Sequence, residues 1–591
     1  MTLSSDLPRW DIESIFPDFA AWDEELQSVV GEIQTLSAFR GTLTRDPEHC
    51  FQFLQAWQEL SLRVHRLGIY TTMKVSTDTT DQEARRKQGE SQSLSAAFQS
   101  ELAFVEPELL TLPEEHARKW FEHHASLKVY QAFFEKLWAQ QQSMRSTEIE
   151  ALLGAVSEAF QGAKSIHPTL VNELDFGSIA TPQGEVKLTH TSLQSLLAHP
   201  DRAVRKAAWE QYARKHLEVQ QTLATAVSTG VRQNVFLARS RRFKSSLAAA
   251  LYPNRIPEQV YHNFMQVFEQ NQQIWHRCWQ IRKKALNLPD FAEYDIKAPL
   301  TQSPPVVSYE QAVDFITEGM RPLGEAYVQT MRSGLLEDRW VDHALTPHRR
   351  QGAFSIGNSL TRPFIFMSFQ PSLFGMSTLA HEVGHSMHRH LSNQIQPIVY
   401  EKYTLFAAEV ASNFNQALTR AHLLNTVQDR DFRIAVLEEA FSNFHRYFLI
   451  MPVLSRFELT LHQQAEQGKT LGAAQMNRLM TELLSGVYGS EVQMDENLNG
   501  ILWSQFSTHL YSNFYTWQYG TGIAAANALA ARVLSGEAGA VDSYLEFLSL
   551  GGKLPPLEAL KVAGVDMSTP APIEAGFRTL EGLLDQLERL L

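Results

Sequence analysis

Leu379-Ala-His-Glu-Val-Gly-His-Ser-Met-His388 sets two imidazoles, His381 and His385, four residues apart in a stretch whose apolar residues recur at helical spacing. One helical turn separates them, so both rings lie on one face. That face can offer two nitrogens to a single Zn²⁺ at about 2.0–2.1 Å, while the adjacent Glu382 stands beside a metal-bound water as general base. The competing reading, a solvated polar turn, asks nothing of the neighbouring sequence. A catalytic zinc asks for a third protein ligand and one open position.

Downstream, Tyr403-Thr-Leu-Phe-Ala-Ala-Glu-Val-Ala-Ser-Asn-Phe414 is an apolar helical stretch interrupted by one carboxylate, Glu409. Buried without a partner, that carboxylate is strongly disfavoured, and a metal supplies the partner. On the solvent side of an amphipathic helix it needs none. Glu401 is the alternative, at a helix start where the backbone dipole suits a carboxylate without metal. His388 and His390 share a helix with the two candidate ligands and read as supporting or substrate-facing residues. Further on, His509, Tyr515 and Tyr519 offer neutral donors for the oxyanion of a tetrahedral intermediate. An aromatic helix face packed in a core is the other reading of that segment, and composition alone favours it.

The 591 residues are 44% hydrophobic and 20% charged, which excludes disordered, collagen-like and coiled-coil classes and leaves several core-sized units or one large architecture. A net charge of −13 argues against a broad nucleic-acid surface, so no nucleic-acid partner is expected. Two cysteines, Cys50 and Cys278, build neither a disulfide framework nor a thiolate zinc site and suit a reducing compartment. The start Met1-Thr-Leu-Ser-Ser-Asp6 has no export-signal pattern, and no apolar run approaches the ~18 residues of a membrane span. A cytoplasmic protein without a membrane partner is the expectation.

Apolar spacing of three and four predicts helices over 51–67, 148–160, 203–236, 257–286, 432–467 and 573–591. Residues 174–179 and 185–189 flank Pro182 and Gly184 as a hairpin candidate, and short β-like runs at 340–342, 352–356 and 364–369 predict a small sheet beside the zinc-motif helix. The hairpin region and the Pro-rich stretch Lys297-Ala-Pro-Leu-Thr-Gln-Ser-Pro-Pro305 are candidate boundaries between packed lobes. A division into an N-terminal helical lobe, 1–195, and a catalytic lobe, 196–591, follows. Arg239, Arg241, Arg242 and Lys244 read as a solvated basic face, and Glu438, Glu439 and Glu458 as structural acids. Gly520-Thr-Gly522 reads as a hinge or turn, too short for a phosphate loop.

Three separated motifs in order, His381-Glu-Val-Gly-His-Ser-Met-His388, Ala408-Glu-Val-Ala-Ser412 and His509-Leu-Tyr-Ser-Asn-Phe-Tyr-Thr-Trp-Gln-Tyr-Gly-Thr-Gly522, resemble the thimet oligopeptidase family of zinc peptidases, in its oligoendopeptidase F branch. Leu7-Pro-Arg-Trp-Asp11, Asp201-Arg-Ala-Val-Arg205 and Arg349-Arg-Gln-Gly-Ala-Phe354 extend the resemblance over nearly the whole chain. It implies one zinc per chain on His381, His385 and Glu409, with Glu382 as the base. It also implies a mainly α, two-lobed fold with a deep central channel, and cleavage of short oligopeptides while folded proteins are spared. Two positions depart from the branch: Gln416 stands where a carboxylate is usual, and Trp517 where a tyrosine is usual. The expectation is therefore a zinc endopeptidase acting on internal bonds of oligopeptides, its oxyanion stabilised by zinc with His509, Tyr515 or Tyr519. A helical metallocarboxypeptidase and a peptide-binding protein with a degenerate zinc site are the rivals.

Overall fold

The computed structural model describes residues 9–141, 143–346 and 348–591. Met1 to Asp6 and the Leu7-Pro8 part of the family-like opening lie outside the described residues. The chain is mainly helical, as its apolar periodicity predicts, and forms two compact units, each assembled from three separated segments.

The first unit gathers the described residues of Met1–Gln142, Val306–Leu423 and Leu529–Val565. Its early helices, Phe19–Ser37, Pro47–Thr77 and Gln82–Glu101, begin at Asp18, Asp46 and Asp81, each of which accepts a backbone N–H of the first turn (2.9, 2.8 and 3.0 Å). Pro47 opens the second of these helices where its missing N–H costs nothing. Their apolar stripes bury Trp22, Phe53 and Tyr70, each contributing about 1.5–3 kcal/mol.

Among the described residues five strands occur: β1 (Ser178–Thr181), β2 (Gly184–Lys187), β3 (Val341–Asp342), β4 (Phe354–Ile356) and β5 (Phe364–Phe366). The last three form the small sheet of the first unit in the order β3-β5-β4, with β3 parallel and β4 antiparallel to β5. Phe364 and Phe366 join the same core as Trp22. Arg349 ties the sheet together: it pairs with the fully buried Asp342 and donates to the carbonyls of Asp342 (3.2 Å) and Met367 (3.0 Å). A buried guanidinium is tolerable there because the carboxylate balances its charge and both Nη groups are met, while its Nε and Asp342 Oδ2 have no protein partner.

Beside the sheet runs the motif helix, Leu373–Ile395, started by Ser372 accepting from Gly375 N (3.0 Å). The Ser355 and Ser386 hydroxyls, 2.9 Å apart, link β4 to it. The carboxylate helix, Leu405–Thr426, is buried over most of its first four turns. Both helices receive a cover from the late helix Ala540–Leu550, where Tyr544 stacks on Phe414 (3.9 Å, 20°) and Phe547 lies 5.5 Å from His388.

The second unit gathers Ser143–Pro305, Leu424–Ala528 and Asp566–Leu591. The hairpin forms, but drawn in closer to its turn than its apolar runs suggest, because the two-residue turn Pro182-Gln183 closes directly on β1 and β2, with Ser178 opposite Lys187. Two predicted helices are each broken in two. Arg202–Glu218 and Gln220–Ser240 meet at Val219, and Glu258–Gln270 and Gln272–Ala285 at Asn271, both near φ −115°, ψ 15°. The predicted helix over 432–467 holds a π-helical turn, Arg446–Ile450, between Arg430–His445 and Met451–Glu466. The division drawn at 195/196 falls within this unit, inside the helix His190–Leu197. No helix among the described residues is long and apolar enough to cross a membrane.

Candidate metal centre

His381 and His385 project from one face of the motif helix with rings 4.8 Å apart and nearly perpendicular. Glu409 reaches them from the carboxylate helix, and one ligand atom from each residue lies within 4.8 Å of the others. What permits this approach is Gly384. A Cβ there would stand 2.4 Å from the carbonyl oxygen of Ala411 and 2.6 Å from Ser412 Cα. The two helices therefore meet backbone to backbone one residue before His385, which holds Glu409 level with both imidazoles.

The hydrogen bonds around His381 define its tautomer. Gln416 Oε1 can only accept, so His381 Nδ1–H donates to it (3.2 Å), and Gln416 Nε2 in turn donates to Ser377 Oγ (2.7 Å). His381 Nε2 is left with its lone pair, facing Glu409 Oε2 at 3.5 Å. Two electron-rich atoms facing each other in a part-buried site suit a cation between them, and a set of two nitrogens and one oxygen suits catalytic zinc. Glu409 is buried, and its Oε2 accepts from Ser412 Oγ (3.0 Å). Desolvation, aided by His381, holds His385 well below the usual imidazole range and so in the neutral form that ligates metals.

Glu382 sits between the candidate ligands in sequence but outside the metal group, buried at 6% exposure with Oε2 lacking a protein hydrogen-bond partner. Burial lifts its carboxyl to about 7; His381 opposes the rise and Glu409 adds to it. Glu401 stays out of the metal group: its carboxylate lies 3.2 Å from His65 Nδ1 and 3.9 Å from Arg389 Nη1. His388 is fully buried and flat against Tyr403 (3.8 Å, 10°), its basicity pushed down to about 3 by burial, while His390 accepts from Gln394 Nε2 (2.9 Å) beside Trp340. The hydrogen-bonding roles of Ser377 and Ser412 were not legible in the sequence, since small hydroxyl residues carry no signal of their own.

The late aromatic segment belongs to the second unit. There His509 lies 6.2 Å from Tyr515 and 6.0 Å from Tyr519 (ring centroids), and the two phenol oxygens are 3.0 Å apart. Tyr519 stacks on Tyr447 (5.1 Å, 8°). Trp517 faces the other way, fully buried against Tyr261 (5.5 Å) and Phe264 (6.2 Å). The segment thus divides between the two readings: Trp517 packs in the core, and the other three form a part-buried polar cluster.

The amide at 416 yields a direct test. Gln416→Leu, which leaves the His381 N–H without an acceptor, is expected to weaken zinc binding by about 10- to 100-fold with little change in thermal unfolding. Gln416→Glu, which keeps the acceptor, should bind at least as tightly as the parent. Competition against a chromophoric chelator measures both, and wild-type affinity in the leucine variant would remove Gln416 from the site.

Residues 195–579 match Peptidase family M3, and residues 108–176 match Oligopeptidase F. Oligopeptidase PepF of Bacillus subtilis is 33% identical over 98% of this chain and 87% of its own length. Group B oligopeptidase PepB of Streptococcus agalactiae is 32% identical over 99% and 97%. The crystal structure of oligoendopeptidase-F from Enterococcus faecium superimposes with a TM-score of 0.74 at 26% identity, covering 96% of this chain and 98% of that one. The chain belongs to peptidase family M3. It is an enzyme of the metalloendopeptidase class.

Proposed function

We propose that this chain is a zinc-dependent endopeptidase that hydrolyses internal bonds of short oligopeptides, with one Zn²⁺ held by His381, His385 and Glu409. The observation that carries the metal assignment is the 3.5 Å approach of His381 Nε2 to Glu409 Oε2, with the opposite ring nitrogen tied to Gln416. When bound, Zn²⁺ supplies Lewis-acid polarisation of the scissile carbonyl and acidifies a coordinated water. Glu382 takes the proton of the attacking water and delivers it to the leaving amine, a role served by a buried carboxyl lifted to about 7. His509, Tyr515 and Tyr519 donate hydrogen bonds to the developing oxyanion. His509 suits this as a neutral donor, since burial and the charge of Arg446 push its basicity down to about 4. The names of the relatives, oligopeptidase and oligoendopeptidase F, support short peptides as substrates. Two buried thiols, each pushed up to about 12 by desolvation, fit a cytoplasmic location.

The test is mass spectrometry of products from peptides of graded length, free and C-terminally amidated, incubated with the zinc-loaded protein beside a stably folded control. Internal cleavage of both peptide forms is the expected result, with the folded control intact because unfolding it costs about 5–15 kcal/mol. Release of single residues from free carboxyl termini alone would mean a carboxypeptidase. Zinc binding without any turnover would mean a peptide-binding protein.

A further inference from the structure

Beside the motif helix the first unit holds a cavity of about 560 Å³, within the size range of ligand pockets. Its walls come from that unit alone: the helices Pro47–Thr77 and Gln82–Glu101, the end of β4 at Ile356-Gly357, Arg389 of the motif helix, and the loop Glu401-Lys402-Tyr403. Arg389 follows His385 by one helical turn, about 6 Å along the axis. The cavity wall therefore begins one turn beyond a candidate zinc ligand, on the same element.

The charges on that wall are unequal. Glu401 is its carboxylate, with Oε2 3.2 Å from His65 Nδ1 and Oε1 3.9 Å from Arg389 Nη1. Arg389 Nη1 also donates to the carbonyl of Gly357 (3.0 Å). These contacts hold the guanidinium against the cavity and use only one of its two Nη groups. Among the described residues no protein acceptor meets Arg389 Nη2 or the ammonium of Lys402, and the side-chain amides of Gln88 and Gln92 are likewise unmet. Two cations against one carboxylate leave an excess of positive charge, and the spare N–H groups are donors for which the protein supplies no acceptor. The chain as a whole carries −13, so this excess is local. An anionic acceptor in the cavity completes it, and a planar carboxylate matches the paired donors of a guanidinium.

An extended peptide advances about 3.3 Å per residue, so the turn between His385 and Arg389 corresponds to about two residues of substrate. We propose that the cavity receives an acidic side chain, Asp or Glu, of a bound peptide, about two to three residues from the scissile bond. This rests on the peptidase reading only for the identity of the ligand as a peptide. The side-chain carboxylate accepts from Arg389 Nη2 and Lys402 Nζ, with the amides of Gln88 and Gln92 as neighbouring donors. A basic side chain at the same position meets two like charges and is disfavoured.

The experiment is fluorescence anisotropy on the full-length, zinc-loaded Glu382→Gln variant, with one labelled oligopeptide carrying Glu, Gln or Lys in turn at each position. Mass spectrometry of the same peptides cut by the parent enzyme fixes the register. At one position, two or three residues from the cut, Glu is expected to bind about 10- to 100-fold more tightly than Gln, the range of charge-assisted hydrogen bonds, and Lys more weakly than Gln. Adding Arg389→Gln with Lys402→Gln should bring Glu and Gln to the same Kd, and Arg389→Lys with Lys402→Arg should keep the preference. Gly68→Leu is an independent probe. Gly68 lines the cavity and a Cβ there meets nothing within 4 Å, so a larger side chain has room to enter and should cost the Glu peptide its advantage. No preference at any position, an equal preference at all of them, a preference outside that window, or one that survives both the double glutamine exchange and Gly68→Leu overturns the proposal. Circular dichroism melting and zinc content identify any Arg389 variant that fails to fold or loses metal, and Lys402→Glu with Gly68→Leu then carries the comparison. Binding is read without turnover, so a failure of the peptidase reading shows separately as absent cleavage by the parent enzyme.

Discussion

Glu382→Gln is expected to keep its zinc and its fold and to lose turnover by about 10²- to 10⁴-fold, the share that a positioned general base contributes. Glutamine has the shape of the glutamate it replaces, so the tightly packed environment of a side chain at 6% exposure is not disturbed. The carboxylate is also not needed to hold the metal, since the three candidate ligand atoms come from other residues. What vanishes is the ability to accept a proton. The exchange removes a buried ionisable group whose burial opposes its charged form, so thermal stability should be unchanged or slightly higher. Three measurements on one preparation decide the matter: zinc content by elemental analysis, the unfolding midpoint, and kcat on a quenched peptide. Near-native kcat with zinc in place would refute the assignment of Glu382 as base.

Glu409→Ala is expected to weaken zinc binding by about 10²- to 10⁴-fold, a third of the roughly 10–16 kcal/mol that a fully protein-bound zinc supplies, and to abolish peptidase activity at sub-stoichiometric metal. Ser412 is then left without its carboxylate partner, a small loss beside that of a ligand. Because Glu401 already lies against His65 and Arg389, it is not placed to substitute. Unchanged zinc stoichiometry and affinity in the alanine variant would mean that the third ligand lies elsewhere. Excess zinc should partly restore turnover, since His381 and His385 remain.

The candidate ligand histidines were legible in the sequence because a four-residue spacing becomes a shared helix face without any tertiary information. Glu409 was legible for a different reason, as a charge in an otherwise apolar stretch. The helices too followed from periodicity, whereas their breaks at Val219 and Asn271 did not, since neither position carries a proline or glycine signal. The π turn Arg446–Ile450 has a signal in Pro452 just beyond it, which offers no N–H to the preceding turn, whereas the stacking of Tyr447 on Tyr519 has none. Those two tyrosines lie far apart in sequence, and a one-dimensional pattern holds no information on whether they meet. The Gln416–Ser377 pair shows the limit most plainly. Gln416 stood out as a departure from a related pattern, but that its amide would orient His381 through a serine on the facing helix required coordinates.

The first unit closes its ligand helices with Ala540–Leu550, whose Tyr544 and Phe547 pack on Phe414 and His388. A ribosome that has just translated Glu409 has therefore delivered every candidate zinc ligand but not their covering. At about 5–20 residues per second, roughly 7 to 28 s pass before that late helix is made. Throughout that interval Phe414 and its apolar neighbours stand open on a nascent chain, a surface for which chaperones compete, and a metal captured early would meet a half-built site. Maturation is thus timed by the far end of the polypeptide: chains released before residue 540 should be cleared as unfolded, even though they carry the complete metal-binding sequence.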